Sequence, residues 1–108
     1  MSRHHFETRH SGRRVRVVAG YDRPLDEFFL QILVAPSDDD AEDEFVYMSL
    51  CESGTDWTEL QALTDRLAVL NIEPPATFLP AILEDRRRQI GNRLAFHHFD
   101  RDPEIRDF

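Results

Sequence analysis

Hydrophobic and polar residues alternate in the first half of the chain, and the spacing changes to three or four residues in the second half. Arginines and valines alternate over residues 14–17, which is the period of a strand with one buried face. Residues 3–10 alternate more weakly, and the intervening Ser11 and Gly12 favour a tight turn. The pattern therefore predicts a β-hairpin over residues 3–21.

Two further apolar runs predict two more strands. Residues 28–35 are rich in aromatic and branched side chains. Phe28, Phe29 and Ile32 also fit a helical stripe, but proline and acidic residues bound the run closely and favour a strand. The run at 44–50 has the composition of a strand as well. The mostly acidic residues between these runs are predicted to form the loop of a long hairpin.

The second half predicts two amphipathic helices. The apolar stripe of the first is Trp57, Leu60, Leu63, Leu67 and Leu70, at steps of three or four. Asp56 is its predicted N-cap, with Glu59 completing a capping box and Asn71 as a left-handed residue after its end. The second helix is predicted to start near Thr77 and to end at Gly91. Its predicted stripe is Leu79, Ile82, Leu83, Arg86 and Ile90.

This order of elements predicts an α+β fold in two layers. Strands that follow one another through short turns usually pair antiparallel. We therefore expect an antiparallel sheet of four strands, with residues 93–99 as a candidate fifth, packed on one face by the two C-terminal helices. The 108 residues suit a single domain, predicted over 1–99, and residues 100–108 are predicted to be a polar tail.

Charge is distributed unevenly along the chain. Residues 1–23 contain six arginines and two acids, whereas residues 24–65 contain twelve acids and no basic residue, and the net charge is −8. There is no apolar run near the roughly 20 residues that span a bilayer, and the first residues do not have the apolar core of a secretory signal. The single Cys51 cannot form an internal disulfide, so the sequence favours the cytoplasm.

The acidic stretch between the third and fourth strands is the predicted binding site. Six of its seven residues are acidic: Asp38, Asp39, Asp40, Glu42, Asp43 and Glu44. A calcium loop of the EF-hand type requires a glycine that is missing here. The remaining interpretations are a solvated loop, a docking surface for a protein with a basic surface, and mimicry of nucleic-acid phosphates, as in small inhibitors of restriction and CRISPR systems.

The paired histidines offer a different kind of chemistry. His4-His5 and His97-His98 would meet if the first and last strands were neighbours. Adjacent residues of a strand point to opposite faces, so each pair offers one ring per face. Zinc would then need Glu7 or Asp100 as a further ligand, and ordinary strand histidines are the simpler interpretation. Cys51 has only acidic neighbours, which disfavour a thiolate.

The segment "GYDRPLDEFFLQIL", an acidic gap and "EFVYMSL" resemble a group of small proteobacterial proteins. In that group a start like "HHFETR" and an element like "IGNR" after the last helix accompany the pattern. The resemblance implies no activity, cofactor or site residue. It does imply that residues 20–24 form a structured turn, against which Asn92 and Arg93 close the domain.

The sequence as a whole predicts a non-catalytic protein-interaction or regulatory module that binds its partner through the acidic hairpin. No catalytic residue, metal ligand or cofactor site is predicted, and a homodimer is compatible with the pattern. Direct nucleic-acid binding is not expected, because the chain is acidic overall and has no recognised motif. The alternatives are a nucleic-acid-mimicking inhibitor and a small metal-binding enzyme that uses the paired histidines.

Overall fold

The computed structural model describes residues 2–10, 12–34, 44–48 and 56–107, with the backbone alone for 44–48 and 107. In chain order the strands and helices are β1 (Ser2–His10), β2 (Arg13–Asp22), β3 (Glu27–Val34), β4 (Glu44–Met48), α1 (Leu60–Val69), α2 (Phe78–Arg88), β5 (Arg93–Phe96) and β6 (Glu104–Asp107). The α+β fold predicted from the sequence is confirmed.

The sheet differs from the predicted one in size and direction. Its described strands number six, in the order β4-β3-β2-β1-β5-β6. The sheet is mixed, because β5 pairs with β1 in parallel while the other pairs are antiparallel. The parallel pair has a physical reason: β5 follows two helices, and such a long crossover brings the chain back in the direction of an earlier strand.

The two hairpins at the start of the chain form around residues suited to turns. Gly12 joins β1 to β2 with a φ of 79°, a conformation that glycine adopts without strain. The β2–β3 turn closes with a hydrogen bond from the Asp26 N–H to the Arg23 carbonyl oxygen at 3.2 Å. An Arg23 guanidinium N–H donates to the Gln89 carbonyl oxygen at 3.3 Å, so this turn is fixed to the end of α2.

Helix α1 begins later than its apolar spacing predicted. Trp57 is buried but lies before the helix, and its carbonyl oxygen accepts a hydrogen bond from the Phe28 N–H at 2.7 Å. Asp56 is not the N-cap, because its carboxylate accepts the Thr58 N–H at 3.0 Å and forms a local turn. Asn71 does adopt the predicted left-handed conformation after the helix, with a φ of 57°.

Helix α2 ends earlier than predicted, and its buried stripe is displaced. The left-handed residue at its C-terminus is Gln89, with a φ of 55°, rather than Gly91. A side-chain N–H of Gln89 donates to the Tyr21 hydroxyl at 3.2 Å, which holds this conformation. Leu83 was placed in the stripe but is 46 % exposed.

The C-terminal residues are not simply a tail beyond the sheet. Residues 104–107 form β6, which pairs antiparallel with β5 from Phe96↔Glu104 to Arg93↔Asp107. The residues of β6 whose side chains are described are exposed, as expected for a short edge strand.

The core lies between one face of the sheet and the two helices. Its large buried side chains come from β1, β2, β3, both helices and the residue Trp57 before α1; the others are Phe6, Tyr21, Phe28, Leu30, Ile32, Leu63, Leu67, Phe78 and Ile82. No helix in the described ranges is long and apolar enough to cross a membrane.

Candidate functional site

The acidic residues chosen from the sequence fall mostly outside the described part of the chain. This applies to Asp38, Asp39, Asp40, Glu42 and Asp43. Glu44 is the first residue of β4, where its backbone lies opposite Val34 of β3. The acidic surface therefore stays a prediction.

The two histidine pairs are brought together, and strand alternation separates His4 from His5 as expected. The parallel β1–β5 pair places His4 opposite Ala95 and His5 opposite Phe96. His4 is fully buried on the helix side of the sheet, whereas His5 lies on the other face. His97 follows β5 and is buried next to His4, with 2.8 Å between His4 Nδ1 and His97 Nε2.

These buried histidines belong to a continuous hydrogen-bonded network under α2. His4 Nε2 lies 2.5 Å from Asp85 Oδ2, and Arg93 donates to the other carboxylate oxygen at 3.0 Å. At the opposite end His97 Nδ1 lies 2.8 Å from the Thr77 hydroxyl. The network thus connects the start of α2, the end of β5, β1 and the third turn of α2.

Electrostatics explain how a buried carboxylate persists in this network. Burial by itself raises the pKa of Asp85, but hydrogen bonds from His4 and Ser2 and the positive charges nearby outweigh it, so the pKa is lowered. For His97, burial and the neighbouring His4 lower the pKa to about 4. Asp85 is therefore ionised and His97 is neutral at neutral pH.

These charge states indicate which atom donates and which accepts in each hydrogen bond of the network. Asp85 accepts the Nε2–H of His4; when His4 is neutral, its Nδ1 accepts the Nε2–H of His97. His97 Nδ1 is then the acceptor for the Thr77 hydroxyl. We assign these roles from the hydrogen-bond partners. The arrangement has the order of hydroxyl, base and orienting carboxylate that general-base catalysis uses, with one additional imidazole.

Sequence reasoning missed Asp85, although a signal for it exists. The residues that α2 buries are Phe78, Ile82 and Asp85, at steps of four and three. Asp85 is the charged member of an otherwise apolar stripe, and a carboxylate at such a position is rarely buried without a partner. A stripe that began at Phe78 instead of Leu79 would have identified Asp85.

The opposite face of the sheet, on which no described helix packs, is here called the open face. Its side chains are those of Arg3, His5, Glu7 and Arg9 in β1; Arg14, Arg16, Val18, Gly20 and Asp22 in β2; Glu27, Phe29, Gln31 and Leu33 in β3; Leu94 and Phe96 in β5; and Glu104 and Arg106 in β6. An apolar row crosses its centre through Phe96, His5 and Val18.

Arginines lie on both sides of this apolar row. Toward the β2–β3 turn the neighbouring row contains Arg3 and Arg106, which both lie opposite Leu94. On the other side Arg16 lies opposite Glu7, and Arg14 lies opposite Arg9. Three further acids lie on this face: Asp22 and Glu27 one row beyond Arg3, at the β2–β3 turn, and Glu104 opposite Phe96. Positive charge is thus concentrated over β1 and the first half of β2.

His5 sits in the middle of the open face without a polar partner in the described part of the chain. Both of its ring nitrogens are buried and have no hydrogen-bond partner, and its ring lies 5.1 Å from that of Phe96. Burial and the charges of Arg16 and Arg3 lower the pKa of His5 to about 4, so the imidazole is neutral. An unsatisfied buried N–H costs about 1–3 kcal/mol.

Two cavities adjoin this imidazole. The smaller, of about 170 Å³, is lined by Arg3, His5 and Arg16 together with Gln31 over an apolar floor that includes Val18. A cavity of about 640 Å³ opens where β5 ends and shares His5 and Arg16 with the first. The smaller cavity offers cationic and neutral donors around apolar surface, which suits an anionic ligand that also has an apolar part, whereas the larger cavity is also lined by the acids Glu7 and Asp100.

A metal site at the paired histidines finds no support in the geometry. Within residues 2–10, 12–34 and 56–106, no three histidine, cysteine or acidic side chains are placed to hold a metal ion. His4 and His97 instead use their nitrogens in the buried network.

Comparison with known proteins adds no further information. No protein-family model, no curated protein and no solved structure matches this chain. The function is therefore inferred from the geometry of the chain itself.

Proposed function

We propose that this protein is a small, non-catalytic binding module that recognises an anionic partner through the open face. The supporting observation is the apolar row of Phe96, His5 and Val18, flanked by arginines and centred on an imidazole that has no hydrogen-bond partner among the residues the structure describes. Natural proteins leave buried polar groups unsatisfied only rarely, so such a group needs an explanation, and a ligand that completes its hydrogen bonds supplies one.

The net charge of −8 does not conflict with an anionic partner, because the charge is segregated. The open face carries five of the thirteen arginines and four of the twenty-one acids among the described residues, and eleven other acids fall in residues 24–65. Glu7, the acid nearest the centre of the face, accepts hydrogen bonds from Arg14 at 2.6 Å and from Arg16 at 3.4 Å. At about 0.15 M salt, charges more than roughly 8 Å from a bound anion are largely screened.

Retention on immobilised heparin tests the proposal. An acidic protein with evenly distributed charge should pass through at neutral pH, whereas a basic face should retain it and release it as salt rises. The double substitution Arg3→Gln and Arg16→Gln should lower the salt concentration at elution. Arg88→Gln on α2 makes a single charge change away from the face and serves as the control. Equal elution of the wild type and the double variant would refute the open face as the anion site.

The acidic stretch from Asp38 to Glu44 is proposed as a second surface, for a protein partner with basic character. Its charge density supports this role or mimicry of nucleic acid. Affinity capture from the native host tests it, with all six acids changed to Asn or Gln in the comparison sample. A partner retained equally by both forms would exclude the stretch as the contact. The lone cysteine supports a cytoplasmic location.

One observation favours a second candidate function, hydrolysis with Thr77 as the nucleophile. The Thr77 hydroxyl is followed by His97, His4 and Asp85 in hydrogen-bonded order. The large cavity is lined by His97 but not by Thr77, which places the hydroxyl away from that binding volume. Release of p-nitrophenol from its acetate ester, compared between the wild type and Thr77→Val, decides the matter; equal rates would exclude this function.

A further inference from the structure

We infer that the anionic partner is a single-stranded nucleic acid whose bases stack on Phe96 and His5 and whose phosphates pair with the arginines on either side. This inference rests on the proposed function of the open face and names its ligand. It reverses the prediction that the chain does not bind nucleic acid directly. That prediction followed from the charge of the whole chain and did not consider how charges are arranged on one face.

The rings of Phe96 and His5 form a surface on which bases can stack. The rings of Phe96 and His5 lie side by side on β5 and β1, 5.1 Å apart and inclined by 36°, and both residues are partly exposed. Aromatic side chains on the uncovered face of an α+β sheet are suitable stacking surfaces for splayed bases. A histidine kept neutral by burial and by Arg16 and Arg3 stacks as an uncharged ring, since its pKa is about 4.

Positive charge lies on both sides of this stacking surface. From Arg106 on β6 to Arg16 on β2 the face spans three strand spacings, which is roughly 14 Å. Arg3 and Arg16 line one cavity and suit a single phosphate, whereas Arg106 lies two strands away from Arg3 and would pair with a second one. Cations spaced along a line on both sides of an aromatic row match a chain of phosphates with bases between them.

The shape of the site favours a single strand over a duplex. Bases in a duplex are stacked on one another and cannot lie flat on the rings of Phe96 and His5. An acidic peptide would satisfy the arginines but has no planar ring for the apolar row. The imidazole nitrogens of His5 are buried, adjoin a cavity that Arg16 also lines, and have no hydrogen-bond partner among the described residues. A base edge that reaches them would supply such a partner.

Fluorescence anisotropy with three labelled probes tests the inference: a twelve-residue oligothymidylate, a duplex of the same length, and a polyglutamate peptide. The single strand should bind at least tenfold more tightly than the other two, with an affinity that falls as salt rises. Phe96→Leu, which keeps an apolar side chain, should weaken binding about tenfold. Arg3→Gln with Arg16→Gln should reduce the salt dependence by about one to two ions, whereas Arg88→Gln should change neither quantity.

Each outcome has a separate meaning. If polyglutamate and the oligonucleotide bind equally and both depend on Arg3 and Arg16, the anion site stands and the nucleic-acid assignment is overturned. If Phe96→Leu binds like the wild type while the arginine variants do not, base stacking is overturned. If no probe binds, or if the arginine variants bind all probes as the wild type does, the proposed function fails together with the inference. Thermal unfolding of every variant separates loss of binding from loss of structure.

Discussion

Replacement of Asp85 by asparagine is the sharpest test of the buried network. The side chain is fully buried, and its two oxygens accept hydrogen bonds from His4 at 2.5 Å and from Arg93 at 3.0 Å. Asparagine has nearly the same shape, but it removes the negative charge and directs an NH₂ group toward one of these two donors. Arg93, whose side chain is 14 % exposed, then loses its buried counter-charge.

The expected cost follows from the burial of the pair. Breaking a buried ion pair by neutralising one partner typically costs about 3–5 kcal/mol. For a domain of this length, such a loss lowers the midpoint of thermal unfolding by roughly 15–25 °C. Urea unfolding followed by tryptophan fluorescence measures it directly, because the single Trp57 is buried in the core. If the unfolding free energy of the variant changes with urea concentration at the same slope as that of the wild type, the folded state has stayed compact.

Glu84→Gln provides the matched control. It removes one negative charge from the adjacent position of the same helix, where Glu84 is paired with Arg87 at the surface. Because exposed pairs contribute little, this variant should unfold close to the wild type. If Asp85→Asn unfolded at the same urea concentration as Glu84→Gln, the carboxylate could not be holding β1, β5 and α2 together.

Three further predictions concern other parts of the core. Because burial lowers the pKa of His97 from 6.5 to about 4, the unfolded chain binds this proton more readily; the contribution of His97 to stability should fall by about 2 kcal/mol between pH 7.5 and 5, and urea unfolding of His97→Gln should show a pH dependence weaker by that amount. Gly20→Ala should cost about 3 kcal/mol in the same assay, since an added Cβ would lie 2.0 Å from the Ser2 carbonyl oxygen, and an unchanged midpoint would contradict this contact. Trp57→Phe should stay within about 1 kcal/mol because the indole N–H has no acceptor in the described part of the chain, whereas Trp57→Ala should lose about 3–5 kcal/mol by calorimetry.

Local patterns predicted the strands and helices well because each of them depends on neighbouring residues. Alternation over β1 and β2 reports which side of the sheet each side chain faces, and Gly12 marks the turn between them. The same alternation correctly predicted that His4 and His5 would lie on opposite faces. By contrast, the parallel β1–β5 pair joins residues about ninety positions apart, and no local spacing records such a partner.

Element boundaries were mispredicted where a side chain satisfied the backbone in an unexpected way. Asp56 has the composition of a helix N-cap, yet it bonds the Thr58 N–H two residues later and leaves α1 to begin at Leu60. Gln89 adopts the left-handed conformation that glycine usually provides, because its side chain is held by the Tyr21 hydroxyl. In both places a specific hydrogen bond outweighs the average preference of the residue type.

His4 and His5 are adjacent in sequence, but the sheet places them in two different chemical environments. On the helix side, His4 is hydrogen-bonded to Asp85 and His97 to Thr77. These bonds connect the sheet to α2. On the open face, His5 is next to Phe96 and two arginines and has no such partner among the described residues. Burial penalises the charge of His5 and His97 alike and lowers both pKa values to about 4. The difference between them is therefore in hydrogen bonding, and His5 is the ring whose hydrogen bonds a ligand would complete.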